Sequence, residues 1–179
     1  MIVVLLANGF EEIEALTPVD VLRRAGLEVV SCGLSGIKVR GSHGITVIAD
    51  TLPEDIDISK VDMVILPGGM PGATNIDSHH FTDKIIAATI ENGGRLAAIC
   101  AAPLVLGRRG LLEGKKATCY PGFEEELRGA TVTGEGVVTD GSITTAKGMG
   151  VALEFAKELV RLMVDEAKAN EISLTIMEK

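Results

Sequence analysis

One stretch limits the possible folds more than any other: Arg95-Leu96-Ala97-Ala98-Ile99-Cys100-Ala101-Ala102-Pro103-Leu104. Residues 95–99 suit a buried strand, and two alanines and a proline then open a helix. A strand that turns sharply into a helix leaves the residue at the bend exposed and facing the helix's unpaired N–H groups. Cys100 at that bend is a candidate nucleophile.

Position alone activates such a thiol only slightly. An exposed helix N-terminus is worth about 0.3–1 kcal/mol to a nearby anion, and one pKa unit is worth about 1.4 kcal/mol. The dipole therefore lowers an ordinary thiol, near about 8.5, by less than one unit. A hydrogen bond to a charged group adds roughly 1.5–3 kcal/mol, so an ionised thiol at neutral pH needs one further donor.

The rest of the chain repeats the strand-then-helix pattern. Ile2 to Leu6 is a continuous apolar run of the kind parallel sheets bury on both faces. Glu11 to Leu16 reads as a helical turn, with Thr17-Pro18-Val19-Asp20 as a cap and first turn, so the helix should kink or restart at Pro18 and end by Gly26. Leu27 to Cys32 and Asp62 to Leu66 are further strands, and Lys38 to Ile48 is a hairpin projecting from the sheet. Phe81 to Glu91 has helical spacing and stops at Asn92-Gly93-Gly94. Short strands are expected at Ala117–Thr118, 130–133, 137–139 and 142–145. The longest helix should run from Val151 to about Ala167, and the tail Ile172 to Ile176 should add a strand or an extended arm. This alternation predicts one α/β domain over residues 1–179, with a doubly wound parallel sheet between helices. Ligands bind beyond the carboxyl ends of such strands, where Cys100, Pro67-Gly68-Gly69 and Asn8-Gly9 should meet.

The net charge of −8 argues against a nucleic-acid or anionic-membrane surface, which needs clustered Lys and Arg. No apolar run reaches the about 18 residues a membrane span requires, and the start lacks a charged leader region, so a cytoplasmic location is expected. Three cysteines, Cys32, Cys100 and Cys119, without metal-ligand spacing fit reduced thiols; Cys32 and Cys119 read as small core residues. His43, His79 and His80 complete no zinc pattern, so no metal is expected. Gly148-Met149-Gly150 has Leu153 where a dinucleotide fingerprint needs its third glycine, and no nucleotide cofactor is indicated.

Glu14 is the candidate donor to Cys100. Desolvation and like charge would keep its carboxyl protonated beside a thiolate; alternatively Glu11, Glu12 and Glu14 simply oppose a helix dipole. Gly68-Gly69 would let backbone N–H groups, with that of Ala101, face a developing oxyanion, or would merely form a tight turn.

Ala97-Ala98-Ile99-Cys100-Ala101-Ala102-Pro103, Leu66-Pro67-Gly68-Gly69, and Gly9 to Glu14 with Pro18 to Gly26 together resemble the ThiJ/PfpI superfamily, and within it the branch of YajL and the Parkinsonism-associated protein deglycase. The resemblance implies a flavodoxin-like sandwich, a homodimer, Cys100 as elbow cysteine, Glu14 as the protonated carboxyl bonded to it, and oxyanion N–H groups from Gly69 and Ala101. Arg24 matches an arginine near the dimer interface of this branch, and His43 stands near where the branch has an arginine. PfpI-like proteases have a histidine directly after the cysteine, where this chain has Ala101, so proteolysis is not expected. Tyr120 stands where the branch often has a histidine and can still bond a substrate. The expected activity is cofactor-independent, glyoxalase- or deglycase-type chemistry on methylglyoxal, glyoxal or glycated protein. A cysteine redox sensor, with Cys100 oxidised to sulfinate, and a holdase chaperone are the alternatives.

Overall fold

Ile2–Leu6 forms β1, and its five residues are all buried. In the computed structural model, which describes residues 1–178, the chain continues through α1 (Glu12–Arg24), β2 (Val29–Gly33), β3 (Lys38–Arg40), β4 (Thr46–Ile48), β5 (Met63–Leu66), α2 (Gly72–Ser78), α3 (His80–Glu91), β6 (Arg95–Ile99) and α4 (Pro103–Arg108). It ends with β7 (Lys116–Ala117), β8 (Thr131–Val132), β9 (Val137–Asp140), β10 (Ile143–Ala146), α5 (Ala152–Met163) and α6 (Glu166–Thr175).

The main sheet has the order β2-β1-β5-β6-β10-β9. Its pairs are parallel except β9 with β10, which run antiparallel. Alternate residues of each strand feed opposite cores, as the strand period of two requires. Val3, Leu5, Val64 and Leu66 pack with Ile76, Ile85 and Leu104 on one face; Ile2, Val4, Met63 and Ile65 pack with Leu22, Phe155 and Leu159 on the other. The doubly wound α/β sandwich is therefore as the apolar runs demand. Among the described residues no helix is long and apolar enough to cross a membrane.

Three local expectations fail. Of the kink or restart expected at Pro18, the restart does not occur: α1 is one helix from Glu12 to Arg24 with Pro18 buried inside it. A mid-helix proline costs about 3 kcal/mol, but Ala15, Val19, Val21 and Leu22 are buried along the same helix, and each large apolar side chain buried returns about 1.5–3 kcal/mol. The last long helix ends at Met163, so α1 with 13 residues is longer than α5 with 12. The tail is helix α6 rather than a strand or arm: Asp165 accepts the Lys168 N–H at 2.8 Å as its cap, and Ala169 and Ile172 bury against the core. Its β-branched residues obscured that cap. Asp165→Ala should destabilise the protein by about 1 kcal/mol in urea titrations and lower Tm by about 2–4 °C, while Asp165→Asn keeps most of the stability; equal melting of wild type and the alanine variant would show the cap idle. The sequence pattern also left α2 unassigned.

The hairpin β3–β4 is present, and it is sewn to the loop after β1. Gly9 N–H donates to Arg40 O (2.8 Å), Arg40 N–H to Asn8 Oδ1 (2.9 Å) and Ser42 N–H to Phe10 O (2.8 Å). That fixes the loop leading into the first turn of α1, where Glu14 lies.

Candidate active site

Cys100 follows β6 directly and has φ +65°. Such a conformation in a residue with a side chain costs of order 1–3 kcal/mol, and two hydrogen bonds hold it: Cys100 N–H donates to Ala146 O, and Tyr120 N–H donates to Cys100 O, both at 2.8 Å. Ala101 and Ala102 are buried, and α4 begins one residue later. The bend is the one expected from the sequence.

Glu14 reaches this bend from α1 and is 1% exposed. Gly68 N–H, in the loop after β5, donates to its Oε2 at 3.0 Å. A carbon placed on Gly68 would lie 2.5 Å from that oxygen and 2.6 Å from Cys100 Cβ, so only glycine leaves room for the two side chains to face each other. Gly69 sits at φ +84°, with no space for a side chain against Glu11 N and Gly9 O. The N–H groups of Gly69 and Ala101 both bear on the Cys100 sulfur. Thus the structure brings Cys100, Glu14, Gly68, Gly69 and Ala101 together.

Thiol and carboxyl compete for one proton. Burial first, opposed in part by hydrogen bonding, raises Glu14 from the ordinary 4.5 to about 7. Burial and then the Glu14 charge push the Cys100 thiol up to about 12, against the pull of the Gly69 and Ala101 N–H groups. This upward push is the reverse of the shift expected for a thiol helped only by a helix N-terminus, and two of its causes belong to Glu14. With the proton on Glu14 the like charge vanishes and the carboxyl becomes a donor to sulfur. Cys32 and Cys119 are buried and also raised, to about 12 and about 11, chiefly by burial, and are core residues as expected.

Tyr120, 51% exposed, lines a cleft of about 410 Å³ with Pro121, Lys147, Gly148, Met149 and Val151. A carbon on Gly148 would lie 3.3 Å from the Tyr120 ring and 3.9 Å from Glu14 Oε1, so the cleft backs onto Glu14. The 147–149 segment was not foreseen; its signal was that it follows β10, one more strand ending at this edge.

His43 and Arg24 lie outside this cluster. His43 Nδ1 is 3.2 Å from Glu12 Oε2 and 3.4 Å from Glu11 Oε1, and the ring is exposed. Among the described residues these three side chains form the one group that could hold a metal ion, although Glu12 Oε1 already accepts the His43 and Ile45 N–H groups at 3.0 and 3.3 Å. Burial opposes ionisation of Glu12, yet these donors and the His43 ring hold its carboxyl below the ordinary value. Arg24 is exposed and pairs with Asp20 at 2.7 Å.

Residues 1–162 match the model of the DJ-1/PfpI family. Protein DJ-1 homolog B of Arabidopsis thaliana is 42% identical over 94% of the chain; the chain spans 39% of that protein's length and 45% of homolog A's. Glutathione-independent glyoxalase DJR-1.2 of Caenorhabditis elegans is 30% identical over 96% of this chain and 92% of its own, and Deglycase TK1284 of Thermococcus kodakarensis is 29% identical over 90% and 98%. The solved structure of oxidized Toxoplasma gondii DJ-1 superposes with a TM-score of 0.91 at 35% identity, covering 98% of this chain and 97% of that one.

Proposed function

The chain belongs to the DJ-1/PfpI family, and from that premise we propose that it converts small α-oxoaldehydes, or their early adducts on protein, to hydroxy acids without a cofactor. The convergence of Cys100 and Glu14 around Gly68 carries this reading, and the glyoxalase and deglycase names of two relatives support it. Cys100 thiolate adds to the aldehyde carbon of methylglyoxal, giving a hemithioacetal whose oxyanion rests on the Gly69 and Ala101 N–H groups. Glu14 moves the C1 proton to C2 through an enediol, leaving a lactoyl thioester. Water cleaves the thioester, releasing lactate and restoring the thiol. Glyoxal gives glycolate by the same route.

The test is product formation in thiol-free buffer. Lactate should accumulate in large molar excess over protein; a reaction that stops at one adduct per chain would overturn the catalytic reading.

A second reading, oxidation of Cys100 as a stress signal, is favoured by the similarity to an oxidized structure and by the burial of the other two thiols. The Cys100 thiolate attacks a peroxide oxygen and, with one proton taken up, gives a sulfenic acid and water; a second hydrogen peroxide then gives the sulfinic acid and a second water. Proteolysis has no support, since Ala101 stands where the PfpI-like proteases carry histidine.

A homodimer is part of the proposal. Ile13 and Leu16 on α1 are 49% and 40% exposed, Ile45 and Ile48 on the hairpin 56% and 73%, and Glu12 ties the two segments together. His43 and the exposed Arg24 would lie at or near that interface, in a protein of the cytoplasm.

A further inference from the structure

The space beside Glu14 is larger than methylglyoxal needs. The cleft of about 410 Å³ lies within the range of about 300–1,000 Å³ usual for ligand pockets, whereas methylglyoxal carries a single methyl group on its ketone carbon, C2. Tyr120, Pro121, Met149 and Val151 give the cleft aromatic and apolar walls. Lys147 is the one charged residue of the lining, and its ammonium donates to Gly134 O at 3.4 Å.

Main-chain bonds tie the Tyr120 turn to the nucleophile: Tyr120 N–H donates to Cys100 O at 2.8 Å, and Phe123 N–H donates to Tyr120 O at 3.2 Å. A carbon on Gly148 would stand 3.3 Å from Cδ2 of the Tyr120 ring and 3.9 Å from Glu14 Oε1, so a single atom spans the gap between ring and carboxyl. Glu14 has to touch both carbons to carry the proton from C1 to C2. The substituent on C2 then lies along the Tyr120 ring. Resting on the Cys100 and Glu14 reaction proposed above, we infer that Tyr120 and the apolar walls of this cleft form a subsite for that substituent, and that the substrate is an α-oxoaldehyde bearing an aryl or comparably flat apolar group. Phenylglyoxal follows the same steps to mandelate. Sulfur adds to C1, the C1 hydrogen moves to C2 as a proton through the enediol, and water displaces the sulfur. C1 is oxidised to a carboxylate and C2 is reduced to an alcohol, so one water is consumed and no outside oxidant.

The test compares kcat/KM for phenylglyoxal and methylglyoxal in wild type and three variants. Contact between aromatic rings contributes beyond the area it buries, so Tyr120→Phe should keep the phenylglyoxal-to-methylglyoxal ratio and Tyr120→Ala should lower it about tenfold. Gly148→Ala should lower it by a similar factor. Its backbone is extended at φ 161° and ψ −172°, which alanine adopts, and the added methyl occupies the gap between ring and carboxyl. Damage to folding or to the Cys100 and Glu14 pair slows both substrates alike and leaves the ratio where it was. Calorimetry gives a readout without turnover: mandelate should bind wild type at least about tenfold more tightly than lactate, and Tyr120→Ala should remove the difference. A ratio unchanged in Tyr120→Ala and Gly148→Ala, or equal affinity for mandelate and lactate, would overturn the subsite and leave the proposed reaction standing. Absence of turnover with both aldehydes would overturn the reaction, and the subsite with it.

Discussion

Cys100→Ala protein is expected to turn over methylglyoxal at least about a thousandfold more slowly than wild type, because the hemithioacetal cannot form without the sulfur and the remaining N–H groups have no intermediate to stabilise. Cys32→Ala and Cys119→Ala should keep the activity, since both thiols are buried in the core. Mild peroxide separates this from the redox reading. If signalling by oxidation is the chemistry, wild type gains two oxygens on Cys100 alone and shows negligible aldehyde turnover. A Cys100→Ala variant that retained turnover would remove the nucleophile from the mechanism altogether.

Much of this site was legible in the residues because each part depends on a hard constraint. Ile2–Leu6, Met63–Leu66 and Leu96–Ile99 are apolar without interruption, and such runs have few places to go other than a sheet buried on both faces. Cys100 and Gly68 lie just beyond two of those strands, so the topology alone brings them to one edge. What escaped was set by tertiary contact. Pro18 looked like a helix start because local rules weigh the missing N–H and not the core behind it. Ile172 to Ile176 looked extended because its β-branched residues outweighed a capping aspartate seven positions earlier. The direction of the thiol shift also depended on packing, since burial opposes the charge that a helix N-terminus favours.

Glu14→Gln should move activity and stability in opposite directions. Glutamine keeps an acceptor for the Gly68 N–H and a donor toward the sulfur, but it cannot take up and return a proton, and loss of that step lowers the rate by about 10²–10⁴-fold. The stability effect follows from proton counting. The folded pair releases its first proton near 7, whereas the unfolded carboxyl does so near 4.5. Between those values the native state holds more protons than the unfolded chain, so stability from this group is fully present below about 4.5 and is lost as pH rises through about 7. Which of the two atoms carries the proton does not alter that count. The gap corresponds to about 3 kcal/mol, and Glu14→Gln abolishes it. Urea titrations of both proteins from pH 4.5 to pH 8 should therefore diverge, with the variant gaining about 3 kcal/mol on wild type by the alkaline end. Parallel profiles would mean that Glu14 ionises as freely in the folded protein as in the unfolded one, and an acid of that kind could neither hold a proton beside Cys100 at neutral pH nor pass it between the carbons of a substrate.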